Sequence, residues 1–109
     1  MGDTNFEFAI REGKGRLTLV LRGDLDAYTG PRFNQSLRSA VARTKGDVAM
    51  DMSDVTFVDS SGIAILVAVA KELRERGSQL VIQSPPQMVA KVLEMTGVNR
   101  LVRLERRPR

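Results

Sequence analysis

The residues predict an α/β fold: a small mixed β-sheet that starts with an antiparallel hairpin and carries helices packed against it. Three observations predict it. Two early stretches alternate apolar and polar residues around a glycine turn. Three later stretches repeat apolar residues at helical spacing. Short β-rich runs stand between them, the pattern of parallel strands joined by right-handed crossovers.

Phe6, Phe8 and Ile10 alternate with Glu7, Ala9 and Arg11, a period of two that predicts the first strand. Gly13-Lys14-Gly15 marks a turn, and Leu17-Thr18-Leu19-Val20-Leu21 returns as the second strand. Residues 23–31 read as a loop in which Thr29 can cap a helix and Pro31 suits the first turn, where its missing N–H costs nothing. Phe33, Leu37, Ala40 and Val41 then recur at helical spacing, and Gly46 suits a left-handed position past the helix end. Val48-Ala49-Met50-Asp51-Met52 is a third strand, followed by a bend at Ser53-Asp54 before Val55, Phe57 and Val58. The apolar run 63–70 is ambiguous alone, because β-branched residues favour strand. Its continuation through Lys71, Glu72, Arg74, Glu75 and Arg76 to Gly77 predicts a helix, buried on several sides in its first half, with Glu72 and Arg76 as an i,i+4 pair. Gln79-Leu80-Val81-Ile82-Gln83 is a fourth strand, and Ser84-Pro85-Pro86 is a capped helix start. Met88, Val89, Val92, Leu93 and Met95 supply the apolar part of a third helix that ends at Gly97. Leu101, Val102 and Leu104 suggest a last short strand or packed tail.

With 109 residues, the chain reads as one domain, 1–109, with a basic C-terminal stretch over about 100–109. Apolar residues are 42% and charged residues 28%, ordinary for a globular domain. Aromatics are 5% with no Trp, so Val, Leu, Ile, Met and Ala must build the core. There is no Cys, which excludes disulfides, a thiol nucleophile and thiolate metal sites. There is no His, which removes the commonest general base and metal ligand and excludes serine–histidine catalysis within the chain. No apolar run approaches the roughly 20 residues of a bilayer span. The segment MGDTNFEFAI has neither a basic n-region nor an apolar h-region, so no signal peptide and a cytoplasmic location are expected.

The stretch 54–62 is the most informative. A strand ends, a loop comes next, and a helix starts behind Asp59-Ser60-Ser61-Gly62. A serine there is first of all an N-cap for a helix. The same geometry also suits a phosphate, because a helix start offers free N–H groups and a positive dipole end. A phosphoserine carries about −1.5 to −2 charges and changes the local surface sharply. Asp24 and Asp26 come close to Asp59 if both loops sit on one edge of the sheet. These carboxylates are hard oxygen ligands, but nothing like a dense cation-binding loop is present. Nor does anything mark them as an acid/base pair. Gly13 and Gly15 fit neither the dinucleotide nor the P-loop signature.

Three stretches resemble the STAS domain family, specifically the bacterial anti-sigma factor antagonists: residues 21–26 with Thr29, residues 51–62 ending in Asp-Ser-Ser-Gly, and residues 92–98 with Leu101. The resemblance spans nearly the whole chain. It implies a small sheet with helices on one side and no catalytic activity or cofactor. It also implies a protein whose unphosphorylated form binds an anti-sigma factor serine kinase and so frees a sigma factor. By the same resemblance Ser60 is the phosphoacceptor, Asp59, Ser61 and Gly62 its supporting motif with Ser61 as a cap, and Asp24, Asp26 and Thr29 partner-contacting or loop-ordering residues. A metal-dependent serine phosphatase would restore the unmodified form. The chain departs from the family pattern in Pro31 and in its arginine-rich end.

Two other readings stay open. One is a STAS module with a structural role, as a lipid-transport ATPase subunit or part of a stress-signalling assembly. The other is a nucleic-acid-binding module using Arg100, Arg103, Arg106, Arg107 and Arg109. No aromatic residues interleave with those arginines to stack on bases, so a solvated, frayed end is the expectation, with no direct nucleic-acid contact and no membrane insertion.

Overall fold

The computed structural model describes residues 6–13 and 15–106. Five strands form one sheet in the order β1-β2-β3-β4-β5: β1 (Phe6–Gly13), β2 (Arg16–Leu25), β3 (Asp47–Val58), β4 (Leu80–Gln83) and β5 (Arg103–Glu105). The hairpin β1–β2 is antiparallel, with Phe6 opposite Gly23 and Gly13 opposite Arg16. Every later pair is parallel. The crossovers are α1 (Gly30–Ala42), α2 (Ser60–Glu75) and α3 (Gln87–Thr96), the last followed by a 3-10 turn (Val98–Arg100). Each crossover steps one strand in the same direction, so right-handed connections set all three helices on one face of the sheet. The fold class expected from the sequence is the one observed.

Alternate residues of the strands feed the core: Leu17, Leu19 and Leu21 from β2, Val48, Met50 and Met52 from β3, Leu80 and Ile82 from β4. Phe33, Leu37 and Val41 of α1, Leu66, Val69 and Leu73 of α2, and Val89 and Leu93 of α3 close over them. Each such side chain stabilises the fold by roughly 1.5–3 kcal/mol. Among the described residues no helix is long and apolar enough to cross a membrane.

Several local expectations are corrected. Gly46 is not left-handed; it stands where a Cβ would lie 2.0 Å from the Gly15 carbonyl oxygen. Thr29 occupies the N-cap of α1 but makes no side-chain cap bond, and Pro86, not Ser84, is the N-cap of α3. Ser53 and Asp54 do not break the strand. β3 runs through them, and its register against β2 slips between Val20 and Arg22 and again between Gly23 and Asp24. Glu72 pairs with Arg38 of α1, while Arg76 donates to the Val41 carbonyl, so α2 is fastened to α1 and not to itself. The first half of α2 is not buried all round: Ala64 and Ala68 are exposed. The C-terminal stretch is not frayed where described, since Arg100 lies in the 3-10 turn and Arg103 in β5. Arg107, Arg109 and Lys14 lie outside the described residues.

The sheet face away from the helices carries a polar strap. Arg16 of β2 reaches Glu105 of β5 at 2.9 Å, across the two intervening strands. Gln83 and Arg103 donate to the same carboxylate at 2.9 and 2.8 Å. These donors, Gln83 first, then Arg103 and Arg16, hold the Glu105 carboxyl at a pKa of about 2.

Candidate functional site

β2 and β3 end side by side, with Leu25 in register with Val58. The loops leaving these two strands form one end of the molecule, at the carboxyl ends of parallel strands, where α/β sheets usually bind their partners. The Asp59 N–H extends the ladder by donating to the Leu25 carbonyl at 3.2 Å. Its carboxylate then turns back as the N-cap of α2, accepting the Ser61 N–H at 2.8 Å and the Gly62 N–H at 3.1 Å. Its second oxygen accepts the Ala27 N–H from the β2–α1 loop at 3.2 Å. One side chain thus fixes the helix start and joins the two loops.

The cap is Asp59, and neither serine serves as one. Ser60 is the first residue of α2, exposed, and its hydroxyl makes no hydrogen bond among the described residues. Ser61 is half-buried behind it and Gly62 is buried. A Cβ on Gly62 would stand 2.7 Å from the Leu25 carbonyl oxygen and 2.9 Å from Cγ1 of Val58, so glycine here permits close approach of α2 to the ends of both strands.

The β2–α1 loop is built by its own side chains. The Thr29 hydroxyl donates to the Asp24 carbonyl at 2.7 Å and accepts the Asp26 N–H at 3.1 Å. Thr29 is 4% exposed, so its role in the loop is internal. Asp26 accepts the Tyr28 and Thr29 N–H groups, each at 3.0 Å. The Thr29 N–H above all, then its hydroxyl and the Tyr28 N–H, keep the Asp26 carboxyl below its usual pKa range against some loss of hydration. Asp24 accepts the Thr56 hydroxyl of β3.

Asp24, Asp26, Thr29, Asp59, Ser60, Ser61 and Gly62 are therefore gathered at one end, as two loops tied by Asp59. The carboxylates that read as cation ligands instead accept N–H and O–H donors of this chain. Sequence reasoning missed three features: the Asp59–Ala27 tie, the Asp24–Thr56 bond, and the exposure of Tyr28 and Phe57. Asp ranks with Ser among the best N-caps, so capping preference makes Asp59 one of three candidates without singling it out. Both bonds join residues 32 apart in sequence, and the exposure of Phe57 follows a strand whose register slips.

A family model described as "Mlab, STAS domain" matches residues 8–103. The anti-sigma-B factor antagonist of Listeria monocytogenes is 26% identical over 102 residues, covering 93% of this chain and 90% of that relative. Among solved structures, the anti-sigma factor antagonist SpoIIAA in its unphosphorylated form superposes with a TM-score of 0.79 at 17% identity, over 94% of this chain and 89% of the other. The Bacillus cell fate determinant SpoIIAA in its phosphorylated form gives 0.74 at 16% identity, over 94% and 92%. The two structural likenesses establish a shared fold.

Proposed function

The chain belongs to the STAS domain family, and from that premise we propose that it is an anti-sigma factor antagonist switched by phosphorylation of Ser60. The unphosphorylated form binds an anti-sigma factor serine kinase in the cytoplasm and thereby releases a sigma factor. The kinase then transfers the γ-phosphoryl group of ATP. The Ser60 Oγ–P bond forms as the bond to the β-phosphate oxygen breaks, ADP leaves, and the hydroxyl proton goes to a base of the kinase. A serine phosphatase hydrolyses the ester and restores the binding form.

The observation that carries this reading is the position of Ser60: an exposed hydroxyl at the first residue of α2, whose helix start is already capped by Asp59. Because the cap is another residue's side chain, a phosphate on Ser60 removes no bond that holds the fold. It sits at the positive end of a helix dipole, so the domain tolerates it. It still alters what a partner meets. Two negative charges must lose water at a surface that matched a neutral hydroxyl, beside the Asp59 carboxylate. Coupling of about 1–3 kcal/mol, five- to 150-fold in affinity, is the usual scale of such a switch. Names of relatives support the class: antagonists of anti-sigma factors by sequence, and a structural neighbour known in both phosphorylation states.

The test is a pull-down from native extract with unphosphorylated protein, followed by assays with the purified bound kinase and ATP. Intact mass is expected to rise by one phosphate, mapped to Ser60. Ser60→Asp is expected to weaken kinase binding about tenfold, while Ser60→Ala binds as wild type and is not released by ATP. A phosphate on another residue, or none with the bound kinase, rejects the assignment. The description of the matching family names MlaB and not an antagonist, which favours a second reading, a STAS subunit with a scaffolding role. That reading expects stable co-purification with a membrane transporter complex, indifferent to Ser60.

A further inference from the structure

The chain has five aromatic residues, four Phe and one Tyr. Three of them, Phe6, Phe8 and Phe33, pack together between the hairpin and α1, with ring centroids 5.3–6.1 Å apart. The remaining two are both exposed, Tyr28 at 75% and Phe57 at 45%. Phe57 lies three residues before Ser60 and in register with Asp24. Tyr28 comes directly after Ala27, whose N–H is bonded to Asp59. Both exposed aromatics therefore belong to the two segments that meet at Asp59, the residue before Ser60.

Charge at this end is one-sided as well. The chain holds 17 Lys and Arg, yet none falls in residues 23–31 or 46–70, where Asp24, Asp26, Asp54 and Asp59 stand. Arg22, in register with Asp54, and Arg32, bonded to the Phe6 carbonyl, mark its borders. Asp26 and Asp59 are engaged by N–H groups of their own loops. Asp54 is exposed and Asp24 half-buried at the rim. An apolar centre inside a charged rim is the usual anatomy of a transient protein interface, and aromatic residues are the commonest anchors in one.

We propose that Tyr28 and Phe57 are the two anchors by which the protein docks its kinase, and that the partner presents apolar pockets for both rings inside a rim of Lys or Arg facing Asp24 and Asp54. This rests on the proposed function and adds the recognition surface to it. The charges steer the encounter, and the rings hold the complex. Release comes from the same layout, because a phosphate on Ser60 enters the apolar centre and not the basic rim, and must be desolvated there.

The experiment uses the full chain and the kinase purified from the native-extract pull-down, with affinity measured by calorimetry. Tyr28→Ala and Phe57→Ser are each expected to weaken binding at least tenfold, with unfolding temperatures unchanged because both rings are exposed. Met88→Ser and Met95→Ser, at exposed methionines of α3, are expected to change it less than twofold. Raising salt from about 50 to 500 mM is expected to slow association in wild type and to slow it less in Asp24→Asn combined with Asp54→Asn. A kinase that binds the two aromatic variants as tightly as wild type overturns the anchors while leaving the phosphorylation switch intact. Recovery of no kinase overturns both. Concentration-dependent dimers of the protein that Phe57→Ser abolishes, without loss of kinase affinity, overturn the proposal in favour of a second copy as occupant.

Discussion

The junctions β3–α2 and β4–α3 share a topology and end differently. Each leaves a parallel strand and enters a crossover helix through a short stretch containing serine. At the first, the Asp59 carboxylate takes the N–H groups of Ser61 and Gly62, and Ser60 is left at the surface with its hydroxyl uncommitted. At the second, Ser84 adopts a left-handed φ of 48° and donates its N–H to the Glu105 carbonyl of β5 at 2.8 Å. Pro85 and Pro86 then bring no N–H at all, and α3 starts without a side-chain cap. The backbone of the second junction is committed to holding the edge strand. A serine before a helix is thus no signal by itself; what matters is which group serves the helix N–H donors.

Replacing the third helical residue breaks this contrast most severely. In α3 that position is Val89, buried among core side chains, whereas in α2 it is Gly62, with no room for a methyl group. Gly62→Ala is expected to destabilise the fold by about 2 kcal/mol, overpacking against Leu25 and Val58 outweighing the roughly 1 kcal/mol by which alanine favours a helix interior. A urea midpoint equal to wild type would show that the two strand ends yield and that α2 need not sit so close. Asp59→Ala comes next, at about 1 kcal/mol, for it removes two cap hydrogen bonds and the tie to Ala27. Hydrogen exchange at the Ser61 and Gly62 amides should quicken in the same variant.

Periodicity made the hairpin, the three helices and the order of strands legible, because those depend on spacing within one segment. The identity of the cap could not be read from spacing. Asp59, Ser60 and Ser61 are consecutive and nearly equal in capping preference, and Asp59 alone of the three also takes the Ala27 N–H, 32 residues away in sequence. Phe57 read as part of an apolar run with Val55 and Val58, yet Val55 and Val58 are buried and Phe57 is exposed. The register of β3 against β2 slips twice in this region, so the simple alternation of an unbroken strand no longer assigns its faces. Glu72 met the same limit, for its rule-based partner Arg76 is outcompeted by Arg38 on a neighbouring helix. The Asp-Ser-Ser-Gly stretch could be picked out as a unit, but how its members divide the work depends on the loop that closes over it.

The smallest effect sharpens the comparison from the side of β5. Glu105 gathers Gln83, Arg103 and Arg16, and its carboxyl pKa falls from the ordinary 4.5 to about 2. A depressed carboxyl contributes its full stabilisation above the unfolded value and loses it as pH falls through the folded value. Wild-type stability should therefore decline between pH 4.5 and pH 2 by a component that Glu105→Gln lacks. The component is modest, because Glu105 and Arg16 are each about one-third exposed and Arg103 is half exposed. If the strap secures only the edge strand, the acid-sensitive step should appear in hydrogen exchange at the Ser84 N–H, which bonds to the Glu105 backbone. The Ser61 and Gly62 amides under Asp59 should not share it. A simultaneous opening of both sets would mean that the two junctions unfold as one unit, and that the Ser60 end is no more independent of β5 than the Ser84 end.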